Sequence, residues 1–205
     1  FIIHLFFFLN MKKIFLIIAA IFVFSFANAQ SNIVKVSPVG FFLGSFKASF
    51  EHSLNVKNSI VVSGRYLNIK DAETLFNSSR GTVTGFDIDL SYRYYFSKNS
   101  DAPKGLFFAP FVNTQNLKTK YTCNDIFNSN PNPVEASYSY FGVTTGAVAG
   151  HQWTLDSGLV IDFFFGYGYR FSSTDKEENE SRPCAILEYY NGGVPKFDIV
   201  VGYKF

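Results

Sequence analysis

The feature that most constrains this chain is a two-residue alternation of bulky apolar and polar side chains, repeated segment after segment. Successive side chains of an extended strand point to opposite faces, so this rhythm marks strands. In 46–54, Phe46, Ala48, Phe50, His52 and Leu54 share one face, and Lys47, Ser49, Glu51 and Ser53 the other. In 86–96, Phe86, Ile88, Leu90, Tyr92, Tyr94 and Phe96 oppose Asp87, Asp89, Ser91, Arg93 and Tyr95. Across 159–171 every odd position is apolar or aromatic, while the even ones are Val160, Asp162, Phe164, Gly166, Gly168 and Arg170. In 196–205, Phe197, Ile199, Val201, Tyr203 and Phe205 alternate with Lys196, Asp198, Val200, Gly202 and Lys204. Weaker alternation covers 32–39, 60–67, 106–113 and 138–154. Beyond residue 30 no stretch carries a convincing helical period. The expectation is an all-β domain of eight strands, the smallest usual number for a membrane barrel.

The connections carry separate information. Residues 55–59, 97–104 and 155–158 form short links, while 68–82, 114–137 and 172–193 form long ones; the first link, near 40–44, is short. Long and short links thus mostly alternate. An antiparallel up-and-down barrel puts alternate links at opposite ends, and outer-membrane barrels pair short periplasmic turns with long outer loops. An even strand count then brings both termini to the short-turn end.

Alternation alone does not say which face is outside. Composition helps here: 26 Phe and 12 Tyr stand among 205 residues. So many rings would overfill an eight-stranded interior, which has room only for ordinary side chains. The polar face also carries Gly166, Gly168 and Gly202. Glycine weakens a solvated strand but makes room for long neighbours in a narrow lumen. Both points favour rings toward lipid and a closed ionic interior, a transmembrane barrel without a water-filled pore. The interior candidates are Lys47, Glu51, Arg65, Asp87, Asp89, Arg93, Asp162, Arg170, Lys196 and Asp198, with both signs present for mutual pairing.

The N-terminal part reads as an address. From Met11, Lys12 and Lys13 form a positive region, 14–26 an apolar one, and Ala27-Asn28-Ala29 a small-x-small cleavage site. These are the three parts of a secretory signal peptide. No cysteine stands at the cleavage point, which argues against a lipoprotein anchor. Residues 1–10 precede the start expected at Met11. The boundaries expected are therefore 1–29 for this extension and signal, and 30–205 for the barrel. The rest of the chain holds no run of about 18 apolar residues that would span a membrane as a helix. Of the 18 basic residues, Lys12 and Lys13 lie in the signal, and the others match the 16 acidic residues one for one. That balance points away from nucleic acid as a partner.

Residues able to carry chemistry are few. His52 and His151 fall near short-turn ends of strands, on outward or interfacial positions. Ser53 and Glu51 flank His52, but neighbours on one strand face opposite ways and cannot converge into a nucleophile set. Gly166-Tyr167-Gly168 sits within a strand, with no helix N-terminus to receive a phosphate. The acidic run 175–180 and the Asn-rich stretch 124–133 read as solvated loops. Cys123 and Cys184 lie in two long links at one barrel end, where a disulfide would tie those links together, though unpaired thiols remain open. No catalytic, cofactor-binding or metal-binding residue is expected.

The final FDIVVGYKF, with Tyr203 and Phe205, resembles the C-terminal assembly signal of outer-membrane barrels. That resemblance implies the barrel-assembly machinery as a partner. With GSFKASFEHSLN and GHQWTLDSGLVIDFFFGYGYR, the chain is similar to the small stand-alone outer-membrane β-barrel families of unknown function. Its size and layout are similar to the eight-stranded barrels of the OmpA and OmpX type. The resemblance implies an outer-membrane location in a Gram-negative bacterium, with membrane lipids and lipopolysaccharide as surroundings. It implies a non-enzymatic role, structural or through surface loops. Two rivals stand beside it: an enzyme modifying envelope lipid or lipopolysaccharide, and a soluble lipocalin-like carrier with its rings turned inward.

Overall fold

The computed structural model describes residues 31–42, 44–74, 77–96, 103–123, 134–176 and 191–205. The signal segment and residues 1–10 lie outside them. The strands are β1 (Asn32–Val36), β2 (Ser45–Ser53), β3 (Asn58–Thr74), β4 (Asn77–Tyr95), β5 (Gly105–Cys123), β6 (Val134–Thr154), β7 (Leu159–Lys176) and β8 (Gly192–Lys204). Each pairs antiparallel with its neighbours in chain order, and β8 pairs with β1 through Val34↔Tyr203 and Lys35↔Gly202, closing the sheet into a barrel.

All eight expected strands are present, but several outrun the alternation that announced them. β5 continues from Asn113 to Cys123 and stays paired with β6 throughout, as far as Cys123↔Val134. Over that reach outward positions such as Asn116 and Lys118 are polar, so no apolar rhythm marks it. Backbone pairing continues without a buried face to pattern it. The link expected at 68–82 shrinks in the same way, because β3 runs to Thr74 and β4 starts at Asn77. Two of the outer links, β3–β4 and β5–β6, are therefore tall hairpins.

The first link holds an unexpected helix, α1 (Pro38–Phe42). Pro38 stands where a missing N–H costs nothing, and the Ser37 hydroxyl accepts the Gly40 N–H at 3.3 Å. Five residues are too few to show a helical period. A side chain at Gly40 would meet the Ser45 carbonyl at 3.0 Å, so glycine lets the helix sit against the top of β2. At the opposite end, the turn 155–158 closes through Gly158, with φ near 87°.

Face assignment follows the alternation. Phe86, Ile88, Leu90, Tyr92, Tyr94, Phe163, Phe165, Tyr167, Tyr169, Phe197 and Tyr203 are exposed on the outside. Glu51, Asp87, Asp89, Arg93, Asp162 and Asp198 are buried inside. A lipocalin-like carrier would need the rings turned inward. The separation is not complete, however. Tyr95, Phe107, Phe111 and Phe164 point inward and form an apolar cluster with Ala109, Val148 and Val200. The closed ionic interior expected thus has an aromatic component, and the ions rest against aromatic faces.

Candidate functional site

The lumen gathers the polar chemistry of the molecule, and it does so in two tiers. The lower tier lies toward the short-turn end. There β1 supplies Lys35, β2 Glu51, β4 Arg93 and β7 Asp162, four charged side chains with almost no exposure. The Lys35 ammonium lies 2.5 Å from Glu51 and 2.7 Å from Asp162. The Arg93 guanidinium lies 2.7 Å from the same Asp162 oxygen. Two cations face two carboxylates, so the tier is neutral, and hydrogen bonds offset part of the cost of its burial, although the Arg93 Nε and Asp162 Oδ1 atoms have no hydrogen-bond partner among the described residues. Ser59 and Tyr95 donate to Glu51 at 2.5 and 2.6 Å. Gln152 accepts from Lys35 at 2.6 Å and from Arg93 at 3.1 Å. Its amide donates to the Pro103 carbonyl at 2.7 Å, which ties the tier to the link between β4 and β5. The Arg93 guanidinium also covers the face of Phe107, 4.2 Å from the ring centre.

The upper tier opens toward the long links. Lys47 pairs with Asp198 at 2.9 Å, Arg65 with Asp87 at 2.5 Å, and Lys196 with Asp89. Ser37 also donates to Asp198, at 2.7 Å. The Lys196 ammonium stands 3.5 Å above the Phe111 ring, and Lys47 stands 5.3 Å above Phe164. Arg170 donates to the Thr144 hydroxyl at 3.3 Å. These groups surround a cavity of about 260 Å³, roofed on one side by Val39 and Gly40 of α1. Between the tiers lies a void of about 20 Å³, the room of a single water. The lumen is thus packed below and hollow above.

All ten interior candidates from the sequence face the lumen, nine in ion pairs and Arg170 in its bond to Thr144. Sequence reasoning missed Lys35, Tyr95 and Gln152 as parts of the network. Lys35 sits between Val34 and Val36, a one-residue signal that the alternation rule was able to catch. His52 and His151 do not converge with a nucleophile. The His52 Nδ1–H donates to the Asn32 side-chain oxygen at 2.7 Å, while Glu51 and Ser53 turn into the lumen. The His151 ring stacks at 4.3 Å against Trp153 on the outer face. Gly166 and Gly168 lie mid-strand in β7, away from any helix. Cys123 ends β5, but Cys184 and the disulfide expected between them lie outside the described residues, as do the stretch 124–133 and most of the acidic run. Among the described residues, no group of three or more His, Cys, Asp or Glu side chains is arranged to hold a metal ion.

A family described as "Protein of unknown function (DUF3575)" matches residues 14–191. No curated protein matches the chain. Among solved structures it is similar to a major outer membrane protein from Thermus thermophilus, at 13% identity and a TM-score of 0.44, covering 87% of this chain and 100% of that one. It is similar to the N-terminal β-barrel domain of Pseudomonas aeruginosa OprF, at 13% identity and a TM-score of 0.33, covering 85% and 97%. It is also similar to Neisserial surface protein A, at 12% identity and a TM-score of 0.35, covering 85% and 93%.

Proposed function

The chain belongs to the DUF3575 family, and from that starting point we propose that it is a non-enzymatic transmembrane barrel of a Gram-negative outer membrane. On this reading the barrel anchors its tall outer hairpins at the cell surface and contributes to the envelope. The observation that carries the reading is the outer belt. On β4 and the residue that follows it, the belt runs unbroken from Phe86 to Phe96. At about 3.3 Å per residue and a tilt near 40°, that stretch rises about 25 Å along the barrel axis, the usual height of the apolar band of such barrels. A water-soluble protein exposing so large an apolar surface would aggregate. The neutral lower tier supports the structural reading over a conducting one, because it leaves no open path through the lumen.

Three further points belong to the same reading. The chain is exported by a signal cleaved after Ala29. Lipid and lipopolysaccharide bathe the belt. The assembly machinery reads Tyr203 and Phe205, whose side chains are exposed at the end of β8. Cell fractionation tests the whole: the protein is expected in the outer-membrane pellet after an alkaline carbonate wash, migrating faster on a gel before boiling than after. Recovery in the soluble periplasmic fraction would refute it. N-terminal sequencing of the purified protein is expected to begin at Gln30.

A further inference from the structure

The upper tier carries a charge that its own carboxylates do not answer. Four cations, Lys47, Arg65, Arg170 and Lys196, line the cavity against three carboxylates, Asp87, Asp89 and Asp198. Each carboxylate is already engaged by one of the other three cations. Arg170 is left with a neutral acceptor, the Thr144 hydroxyl, 3.3 Å from its Nε. Among the described residues it has no carboxylate partner. The lower tier, by contrast, balances two against two. Among the described residues, the surplus positive charge of the lumen therefore sits in the part that is hollow.

We propose that this cavity binds a small organic oxyanion, with the Arg170 guanidinium as its anchor. Arginine presents a planar fork of donors matched to the two oxygens of a carboxylate or phosphate group, and only Nε is occupied here. Val39, Val194 and Pro195 line the cavity beside Phe111 and Phe164, whose ring faces carry Lys196 and Lys47, and offer the carbon body of the ligand apolar contact. A volume of about 260 Å³ lies just under the usual range for drug-sized ligands, about 300–1,000 Å³, so the body is small. The carboxylates line the cavity too, and their ion pairs with Lys47, Arg65 and Lys196 neutralise the repulsion they would otherwise exert on an incoming anion. The site depends on the lumen alone. Failure of the membrane reading in fractionation leaves it standing, and its own failure leaves the membrane reading untouched.

Calorimetric titration of the purified full barrel in a neutral detergent tests it, with benzoate and inorganic phosphate as separate probes. Saturable binding of at least one probe is expected. Saturation by benzoate alone assigns a carboxylate ligand, and by phosphate alone a phosphate ester. Arg170→Gln is expected to weaken that binding by at least about tenfold, the loss of one charge-assisted pair. Thr144→Val, which frees the guanidinium from its tether, weakens it severalfold and serves if the first variant fails to fold. Lys57→Gln, at an exposed position in the turn at the far end, leaves it unchanged. Absence of saturation by both probes overturns the proposal, as does unchanged affinity in the Arg170 and Thr144 variants.

Discussion

Lys35 is the residue around which the lower lumen is arranged, and its place depends on a glycine. Gly202 is its cross-strand partner, and a Cβ there would press on the Val34 carbonyl oxygen and stand 2.7 Å from the Lys35 Cγ. The glycine gives up its side-chain space to the lysine stem. Gly202→Ala is therefore expected to displace Lys35 and the β1 backbone beside it and to lower the urea midpoint of the refolded barrel. Glu51 is the complementary case. Removing it leaves Lys35 and Arg93 buried with one carboxylate between them, takes the acceptor from the Ser59 hydroxyl and leaves Tyr95 only the longer contact to Gln152 at 3.4 Å. Glu51→Ala is expected to cost about 3–5 kcal/mol in equilibrium unfolding. A loss below about 1 kcal/mol would mean that water fills the gap and that the tier is not sealed. At this scale the sequence revealed which residues turn inward, since alternation settles that. It did not reveal who pairs with whom. Lys35 reaches Asp162 across 127 positions of chain, and only the closure of β8 on β1 brings them together.

The strands were legible wherever one face had to be apolar. Phe86 to Phe96 announced β4 because every second side chain had to leave water. Above the belt that requirement lapses, and with it the signal, which is why the upper reaches of β3, β4 and β5 read as loops. The helix α1 escaped for a different reason: a single turn defined by Pro38 and Ser37 is set by local capping and not by period. The same boundary predicts how strands tolerate charge. Leu90 lies mid-belt between Val62 and Val112, and Thr84 lies above it between Asn68 and Lys118. In lipid vesicles Leu90→Arg is expected to destabilise the barrel by about 2–4 kcal/mol and Thr84→Arg by about 0–1 kcal/mol. Equal costs at the two depths would contradict a bilayer around the belt.

For the molecule as a whole, closure was foreseeable from an even strand count and alternating links, but the hollow upper lumen was not. A cavity is the difference between the room a barrel encloses and the side chains that enter it, and no local pattern records that difference. Its consequence for transport is direct. The packed lower tier is expected to block conduction, so planar-bilayer recordings of the purified protein show no stepwise current. Regular unitary steps would show that the Lys35–Asp162 and Arg93–Asp162 contacts part under voltage. Assembly is a second whole-molecule property. Phe205→Ser is expected to reduce the heat-modifiable, membrane-assembled fraction without changing synthesis.

The uneven heights of the strands carry one more implication. The ladder between β2 and β3 ends at Ser45↔Leu67, and that between β7 and β8 at Arg170↔Gly192, while β3 and β7 themselves climb further. Above those two rungs the cylinder becomes an open screen whose border amides have no neighbouring strand among the described residues. Hydrocarbon does not tolerate such a border and water does. The two rungs therefore draw a waterline around the molecule from the backbone alone, and the rings of Tyr66 and Tyr169 stand beside it.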